Sequence, residues 1–307
     1  MFRRYGLITL SAAALLASAL APAAKAQLWT WTKDQMVEYT KAWTGDRFPD
    51  GRPKVPDQWL ERARDISQEE ITIPGTGGRG GGYSQYEGDW RVLHPELKMA
   101  GRAFTMAFMP ARADLNQVVM SKAKEKGIPS LNNQYGFDML QPGDVLVVDL
   151  YGKKEGGTIV GDNLFYYVMK DTRGGGLVVD GSLRDLDGIS PMPMACYFRS
   201  VHPSYITGAT LAAVNVPIRI GNVTVMPGDL VVGDREGVSF IPAQNVETIL
   251  DRADETRIHD EWTRKKFDEL KYKSSEIYGS PRDPALKQEY QDYLKKRLEE
   301  IKASRKK

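Results

Sequence analysis

Cysteine and histidine are nearly absent from this sequence of 307 residues, which contains one cysteine and three histidines. A single cysteine excludes an internal disulfide, and the apolar neighbours of Cys196 predict a buried packing residue, not a nucleophile. The histidines, His94, His202 and His259, do not have the spacing of zinc ligands. We interpret them as surface or packing residues, with His202 near the rim of the candidate site.

The sequence also lacks a large excess of positive or negative charge, because 42 basic residues are balanced by 40 acidic residues. Such a chain has no overall electrostatic attraction for nucleic acid, and we expect no nucleic-acid partner. Basic residues cluster only near the end, at residues 295–297 and 305–307. We interpret these clusters as a solvated helix and tail, with a binding patch as the alternative.

Long apolar runs are missing outside the first 26 residues. There, Arg3 and Arg4 precede an apolar stretch at residues 7–21 and a small-x-small motif at residues 24–26, the pattern of a cleaved signal peptide. We therefore predict an exported protein, periplasmic or secreted, without a membrane anchor after cleavage. An uncleaved anchor is the alternative, and the shortness of the apolar run argues against it.

The rest of the chain divides into three predicted regions. Apolar residues at helical spacing in residues 31–43 and 56–66 predict an N-terminal helical extension. Six glycines in residues 75–82 lack the Lys-Ser/Thr ending of a P-loop, which favours a connector or lid over a nucleotide site. The predicted boundaries are residues 27–98 for the extension and connector, residues 99–243 for an α/β core, and residues 244–307 for a C-terminal helical arm.

The predicted core alternates strands and helices before it changes to short strands. Strands at residues 103–109 and 144–150 flank a helix at residues 114–126, and a helix from Asp162 leads to a strand at Leu177. This strand–helix–strand unit predicts parallel pairing. Antiparallel structure is predicted at residues 218–220, 223–225, 230–232 and 238–241. Two Pro-Gly-Asp turns, which end at Asp144 and Asp229, suggest paired halves of a layered sandwich.

Residues 161–187 contain the densest set of candidate site residues. Residues 161–164 have the composition of a helix start, whose free backbone N–H groups suit a carboxylate or phosphate. The following apolar strand ends at Arg184 and Asp185, where polar groups usually face a site. Arg184 offers a planar fork for a carboxylate, and Asp185 offers an oxygen ligand for Mg²⁺. The alternative is a structural ion pair between these two side chains.

Three motifs resemble a known family: GDNL at residues 161–164, VVDGSLRD at residues 178–185 and VTVMPGDLVVGDREGVSFIP at residues 223–242. Together with the glycine-rich turn before the second motif, they resemble the RraA-like family of regulators of ribonuclease activity A. This family includes metal-dependent 4-hydroxy-4-methyl-2-oxoglutarate aldolases, and the resemblance covers residues 99–267. It implies a layered β/β/α core, similar to a swivelling domain, with added N-terminal helices and long C-terminal helices.

The resemblance implies a role for each matching residue. Arg184 resembles the arginine that binds the substrate carboxylate, and Asp185 resembles the direct ligand of Mg²⁺ or Mn²⁺. Asp162 resembles the acidic residue that orients a water on the metal, and Asn163 and Leu164 resemble the residues whose backbone N–H groups bind pyruvate.

Two further residues have less direct roles. Glu261 resembles a glutamate that a neighbouring subunit contributes in the aldolases, and Asp187 is a candidate for an outer position around the metal. The chain has one residue more than the family pattern between Asp162 and Arg184, and we expect the extra residue in the turn at residues 171–176.

The resemblance implies an exported, divalent-metal-dependent lyase that cleaves or decarboxylates a small keto acid through a pyruvate enolate. We also expect a homo-oligomer, a trimer or hexamer. One alternative is a non-catalytic binding or scaffold protein that assembles through its terminal helices, and another is a lyase or hydrolase for a different carboxylated substrate. The signal peptide argues against the cytoplasmic ribonuclease-inhibitor role of some family members.

Overall fold

The computed structural model describes residues 30–71, 85–125, 127–128 and 133–305. The predicted signal peptide at residues 1–26 and the glycine-rich segment at residues 75–82 lie outside the described residues. Among the helices of the described ranges, none has both the length and the apolar character needed to cross a bilayer.

In the described ranges, helices begin and end the chain, helices and strands alternate in its middle part, and a run of strands follows. The helices are α1 (Lys33–Tyr39), α2 (Asp57–Ala63), α3 (Ala113–Glu125), α4 (Asn133–Phe137), α5 (Asp162–Asp171), α6 (Leu186–Ile189), α7 (Val246–Asp268), α8 (Ser274–Ile277) and α9 (Pro284–Ser304). The strands are β1 (Tyr86–Glu87), β2 (Arg91–Val92), β3 (Met99–Pro110), β4 (Asp144–Asp149), β5 (Leu177–Leu183), β6 (Cys196–Val201), β7 (Ala209–Val214), β8 (Ile218–Ile220), β9 (Val223–Val225), β10 (Leu230–Gly233) and β11 (Val238–Ile241).

A mixed sheet forms the centre of the molecule. Its strand order is β1-β11-β10-β3-β4-β5-β6-β2, and β7 pairs with the second half of β3. Strands β3, β4, β5 and β6 are parallel to one another, which confirms the predicted parallel pairing of β4 with β5. These strands are almost continuously buried, as expected for parallel strands that are covered on both faces.

Apolar side chains cover both faces of this sheet. On one face, Phe165 and Val168 of α5 pack against β4 and β5. On the other face, the antiparallel pair β8–β9 contributes Ile220 and Val225 to a second apolar cluster. The resulting order of hairpin, sheet and helices confirms the predicted α/β class and its β/β/α layers.

Residues before and after the predicted core complete the molecule. The short strands β1 and β2, which precede residue 99, pair with β11 and β6 at the two ends of the sheet. Helices α2 and α7 contribute Leu60, Ile249 and Leu250 to a third apolar cluster, which also contains Leu230 of β10. The terminal helices are therefore packed on the core.

The two Pro-Gly-Asp turns lie on either side of one strand, so the prediction of two sandwich halves is wrong. Arg102 of β3 lies opposite both Asp144 of β4 and Leu230 of β10. The two turns are alike because each delivers an apolar strand to the same neighbour, β3, within a single sheet.

Cys196 is fully buried at the start of β6, which confirms its predicted packing position. Burial raises the pKa of its thiol well above the ordinary value, so the nucleophilic thiolate is disfavoured.

Candidate functional site

The predicted helix start is the first turn of α5. Gly161 is extended, with φ of −103°, and its carbonyl accepts the N–H of Phe165 at 2.9 Å. The N–H of Asn163 donates to Asp162 Oδ1 at 2.7 Å. The N–H groups of Asp162 and Leu164 have no hydrogen-bond partner among the described residues. The first turn therefore presents backbone donors that suit an anion.

Strand β5 ends immediately before Arg184 and Asp185. Asp185 has a left-handed backbone conformation, with φ of 56° and ψ of 38°, which is uncommon for a residue other than glycine. On an extended strand the two side chains would point to opposite faces. The left-handed turn instead brings Asp185 Oδ2 to 3.3 Å from Arg184 Nε.

Gly161 lies directly against this pair. A Cβ atom at Gly161 would collide with Asp185 Oδ2 and would lie 2.9 Å from Nε of Arg184. Gly188, at the end of the same turn, lies beside Asp162, since a Cβ atom there would be 3.1 Å from Asp162 Cβ. The close approach of α5 to the end of β5 therefore brings together the three charged residues that the sequence singles out.

The contact between Arg184 and Asp185 is weak as a structural ion pair. Their side chains are 33% and 43% exposed, and exposed pairs contribute little to stability. Nε of Arg184 is buried, and it has no hydrogen-bond partner within the part of the chain that the structure describes. A guanidinium whose buried Nε has an ion-pair contact but no hydrogen bond suits the recognition of a planar carboxylate.

The carboxylates at this site limit which metal they can hold. Across the described ranges, the structure contains no group of three or more His, Cys, Asp or Glu side chains placed to bind a metal ion. Asp185 and Asp162 supply only hard oxygen donors. This donor set fits Mg²⁺ or Mn²⁺, which keep several waters, and does not fit a structural or catalytic zinc site.

The other predicted site residues have different surroundings. Asn163 is exposed in the first turn of α5, but its N–H, which we expected to bind pyruvate, donates to Asp162 Oδ1. The N–H of Asp162 therefore replaces it as a candidate donor beside that of Leu164. Asp187 is exposed in the first turn of α6. Glu261 lies in α7 and is held by residues of its own chain, as described below. Its contribution to a neighbouring subunit stays a prediction.

The helix α5 is continuous from Asp162 to Asp171. The turn that follows contains Arg173 and Gly174, both with positive φ. Irregular backbone therefore lies in the segment where we expect the extra residue.

A polar network beside the site was not predicted from the sequence. Ser182 Oγ lies 2.7 Å from Ser200 Oγ and donates to the carbonyl of Lys154 at 2.7 Å. Thr158 Oγ1 donates to the carbonyl of His202, whose own N–H donates to the carbonyl of Leu183. This network ties the segment before α5 to the ends of β5 and β6, and it places His202 beside the residue that precedes Arg184. The sequence signal was the pair of polar residues, Asp180 and Ser182, within a mainly apolar strand.

Comparison with known proteins identifies the family. The RraA-like family, described as Aldolase/RraA, matches residues 68–239. The chain belongs to the RraA-like family. The RraA-like match contains β3 to β6, α5 and the turn at Arg184 and Asp185, and it leaves out α2, α7 and α9. The match begins at residue 68, whereas the predicted core begins at residue 99.

Two RraA-like relatives are provisionally named 4-hydroxy-4-methyl-2-oxoglutarate aldolases. A protein from Halalkalibacterium halodurans is 39% identical over 123 residues, which cover 39% of this chain and 56% of the relative. A protein from Azotobacter vinelandii is 34% identical over 102 residues, which cover 33% of this chain and 60% of the relative. The chain therefore spans little more than half the length of these relatives.

Solved structures share the fold. Streptomyces coelicolor RraAS2, described as an unusual member of the RNase ES inhibitor RraA family, is 27% identical with a TM-score of 0.57, covering 69% of this chain and 100% of RraAS2. An uncharacterized protein from Pseudomonas syringae pv. tomato has a TM-score of 0.54 at 19% identity, covering 73% of this chain and 95% of that protein. The similarity to the Pseudomonas syringae protein is evidence for a shared fold alone.

Proposed function

We propose that this protein is an exported, divalent-metal-dependent lyase that cleaves or decarboxylates a small keto acid. The observation that carries the proposal is the position of Arg184 and Asp185 on one side of a left-handed turn, against the unpartnered N–H groups of α5. The names of the aldolase relatives support the reaction class. The signal-peptide pattern in residues 1–26 supports export.

Each charged residue has a separate role in this proposal. Arg184 binds the carboxylate of the keto acid through its planar fork, and the N–H groups of Asp162 and Leu164 donate to the substrate's oxygens. Asp185 holds Mg²⁺ or Mn²⁺, which supplies a Lewis acid for the keto oxygen when bound. The Asp162 carboxylate orients a water molecule that transfers a proton to or from the substrate during bond cleavage. The product common to aldol cleavage and decarboxylation is pyruvate.

The direct test is an assay for pyruvate release from 4-hydroxy-4-methyl-2-oxoglutarate and from oxaloacetate by the mature chain. With Mg²⁺ or Mn²⁺ we expect turnover that a chelator abolishes and added metal restores. The variants Arg184→Ala and Asp185→Ala should each lower kcat/KM by roughly a hundredfold or more, the usual effect of losing one group that stabilises developing charge.

The matched control is Arg252→Ala, because Arg252 is exposed on α7. This variant should keep wild-type activity. Equal turnover by wild type and the two site variants would contradict the proposal.

A non-catalytic scaffold is the second candidate, and the packing of α2 and α7 outside the family match favours it. A scaffold would show no metal-dependent turnover, yet light scattering would still give a homo-oligomer, a trimer or hexamer. Turnover in the assay above would exclude a purely structural role.

A further inference from the structure

A charged cleft lies among the terminal helices that the family match leaves out. Its volume is about 910 Å³, and it is lined by α2 with the residues that follow it, by α7, and by α9 with its C-terminal cap. None of its lining residues lies in residues 68–239. The cleft is therefore separate from the site at Arg184 and Asp185.

One buried carboxylate holds the three helices together. Asp254 of α7 is 3% exposed and accepts hydrogen bonds from Arg62 of α2 at 2.9 Å and from Arg257 at 2.6 Å. Arg305, which caps α9, donates through both terminal nitrogens at 2.6 and 2.8 Å. Three guanidinium groups thus surround a single buried carboxylate.

Other acidic groups compensate part of this positive charge. Glu61, Asp65 and Glu261 also line the cleft, and Glu261 pairs with Arg297 at 3.2 Å. Asp251 accepts from Arg62 at 2.7 Å but is 65% exposed, so water and salt screen it. Glu70 lies 3.7 Å from Arg257, beyond hydrogen-bond distance. Nε of Arg62 is buried and has no hydrogen-bond partner among the described residues. A buried cationic donor without a partner is unfavourable unless a ligand or water satisfies it.

Apolar side chains form the rest of the cleft wall. Trp59, Ile258 and Ile301 line it together with the arginines. Arginine forks match the geometry of carboxylates and phosphates, and an apolar wall favours a ligand with a carbon skeleton. The volume is in the range of clefts that enclose small molecules.

We propose that this cleft binds a small organic anion with two or more carboxylate groups. One carboxylate pairs with the unpartnered face of Arg62 beside Asp254, and the carbon skeleton lies against Trp59 and Ile258. A second carboxylate pairs with Arg64 at the rim. Arg64 is 44% exposed, and among the described residues its side chain has a single ion-pair contact, with Glu61 at 3.4 Å. This proposal does not depend on the lyase activity.

The test is isothermal titration calorimetry of the full mature chain in metal-free, low-salt buffer. Citrate, inorganic pyrophosphate and acetate serve as probes, so that charge and carbon skeleton are varied separately. We expect one saturable citrate site per chain, with acetate and pyrophosphate each binding at least tenfold more weakly. Arg62→Gln should weaken citrate binding at least tenfold, and Arg64→Gln at least threefold.

Two control variants locate the binding. Arg252→Gln removes an exposed arginine from α7, and Arg184→Ala removes the arginine of the keto-acid site, so both should bind citrate as wild type does. If Arg62→Gln loosens the helices, as circular dichroism would reveal, the exposed Arg64→Gln variant decides the test. The absence of saturable citrate binding, an equal loss in either control variant, or equal affinity for pyrophosphate would overturn the proposal.

Discussion

At the scale of single residues, two buried aspartates in similar turns have different partners. Asp144 accepts hydrogen bonds from both terminal nitrogens of Arg52, at 2.8 and 2.9 Å. Asp229 accepts only the backbone N–H of Met226, at 2.8 Å, from the residues that the structure describes. Desolvation raises the pKa of Asp229 to about 7, because no cation compensates its burial.

This raised pKa predicts how stability depends on pH. The folded state binds a proton at Asp229 that the unfolded chain releases near pH 4, so this stabilisation is complete below about pH 4 and is lost as pH rises through about 7. Asp229→Asn keeps an acceptor for Met226 and removes the ionisation. We expect the stability of the variant relative to wild type to increase by at least about 1 kcal/mol between pH 5 and pH 8.

Urea unfolding of both proteins between pH 5 and 8 measures this difference. Parallel pH profiles for wild type and variant would show that Asp229 does not ionise in this range.

Gly161 is a second residue whose effect can be isolated. Its φ of −103° is accessible to alanine, so the backbone tolerates the substitution. The new Cβ would instead displace Asp185 and press on Arg184. We expect Gly161→Ala to lower kcat/KM for pyruvate release at least tenfold with an unchanged urea midpoint. Full activity in a folded variant would show that the contact between α5 and Asp185 is not required.

At the scale of helices and strands, sequence patterns correctly predicted the elements that depend on interactions between neighbouring residues. The predicted strands at residues 218–220 and 223–225 coincide with β8 and β9, because a glycine turn and alternating apolar residues specify a hairpin. Strand β3 is longer than predicted at its start, since Met99 to Arg102 pair with the distant strand β10. The two-residue strands β1 and β2 are too short for any periodic signal.

The site was predictable to a similar extent. Arg184 and Asp185 are adjacent in the sequence, and the glycines around them indicate the turn that joins their side chains. The fit of Gly161 against Asp185 depends on how closely α5 approaches β5, which no local pattern encodes. No local pattern indicates that Arg52 is buried, yet it packs against Asp144 from 92 positions away.

The contact between α7 and α9 leads to a testable prediction about how firmly α9 is held. Hydrogen bonds from Tyr293, Lys265 and Arg297 lower the pKa of Glu261 to about 2. The ion pairs of Glu261 thus stabilise the folded state above the ordinary glutamate pKa and lose this effect as pH falls toward about 2. Glu261→Gln should increase amide hydrogen exchange in Pro284–Ser304 several-fold at pH 7, while α5 and β5 remain protected.

The control for this measurement is Glu255→Gln, since Glu255 is exposed on the same helix. Unchanged exchange of α9 in Glu261→Gln would mean that Glu261 is free to serve elsewhere, including a neighbouring subunit.

At the scale of the whole molecule, the chain combines an RraA-like core with helices from both ends. The family match ends before α7 and begins after α2, yet these two helices share one apolar cluster with β10. The cleft at Asp254 exists only because α2, α7 and α9 meet. Its arginines are at positions 62, 64, 257, 297 and 305, so their convergence is a property of the fold and not of any sequence motif.

The central claim is that Arg184, Asp185 and the start of α5 form one metal-assisted site for a keto acid. A crystal structure of the mature chain with Mn²⁺ and oxalate, an analogue of the pyruvate enolate, tests it most directly. We predict an Asp185 oxygen within about 2.5 Å of the ion, as for oxygen ligands of such metals. The Arg184 fork should bind an oxalate carboxylate, and the α5 N–H groups should donate to it. An ion bound elsewhere, or oxalate without contact to Arg184, would contradict the claim.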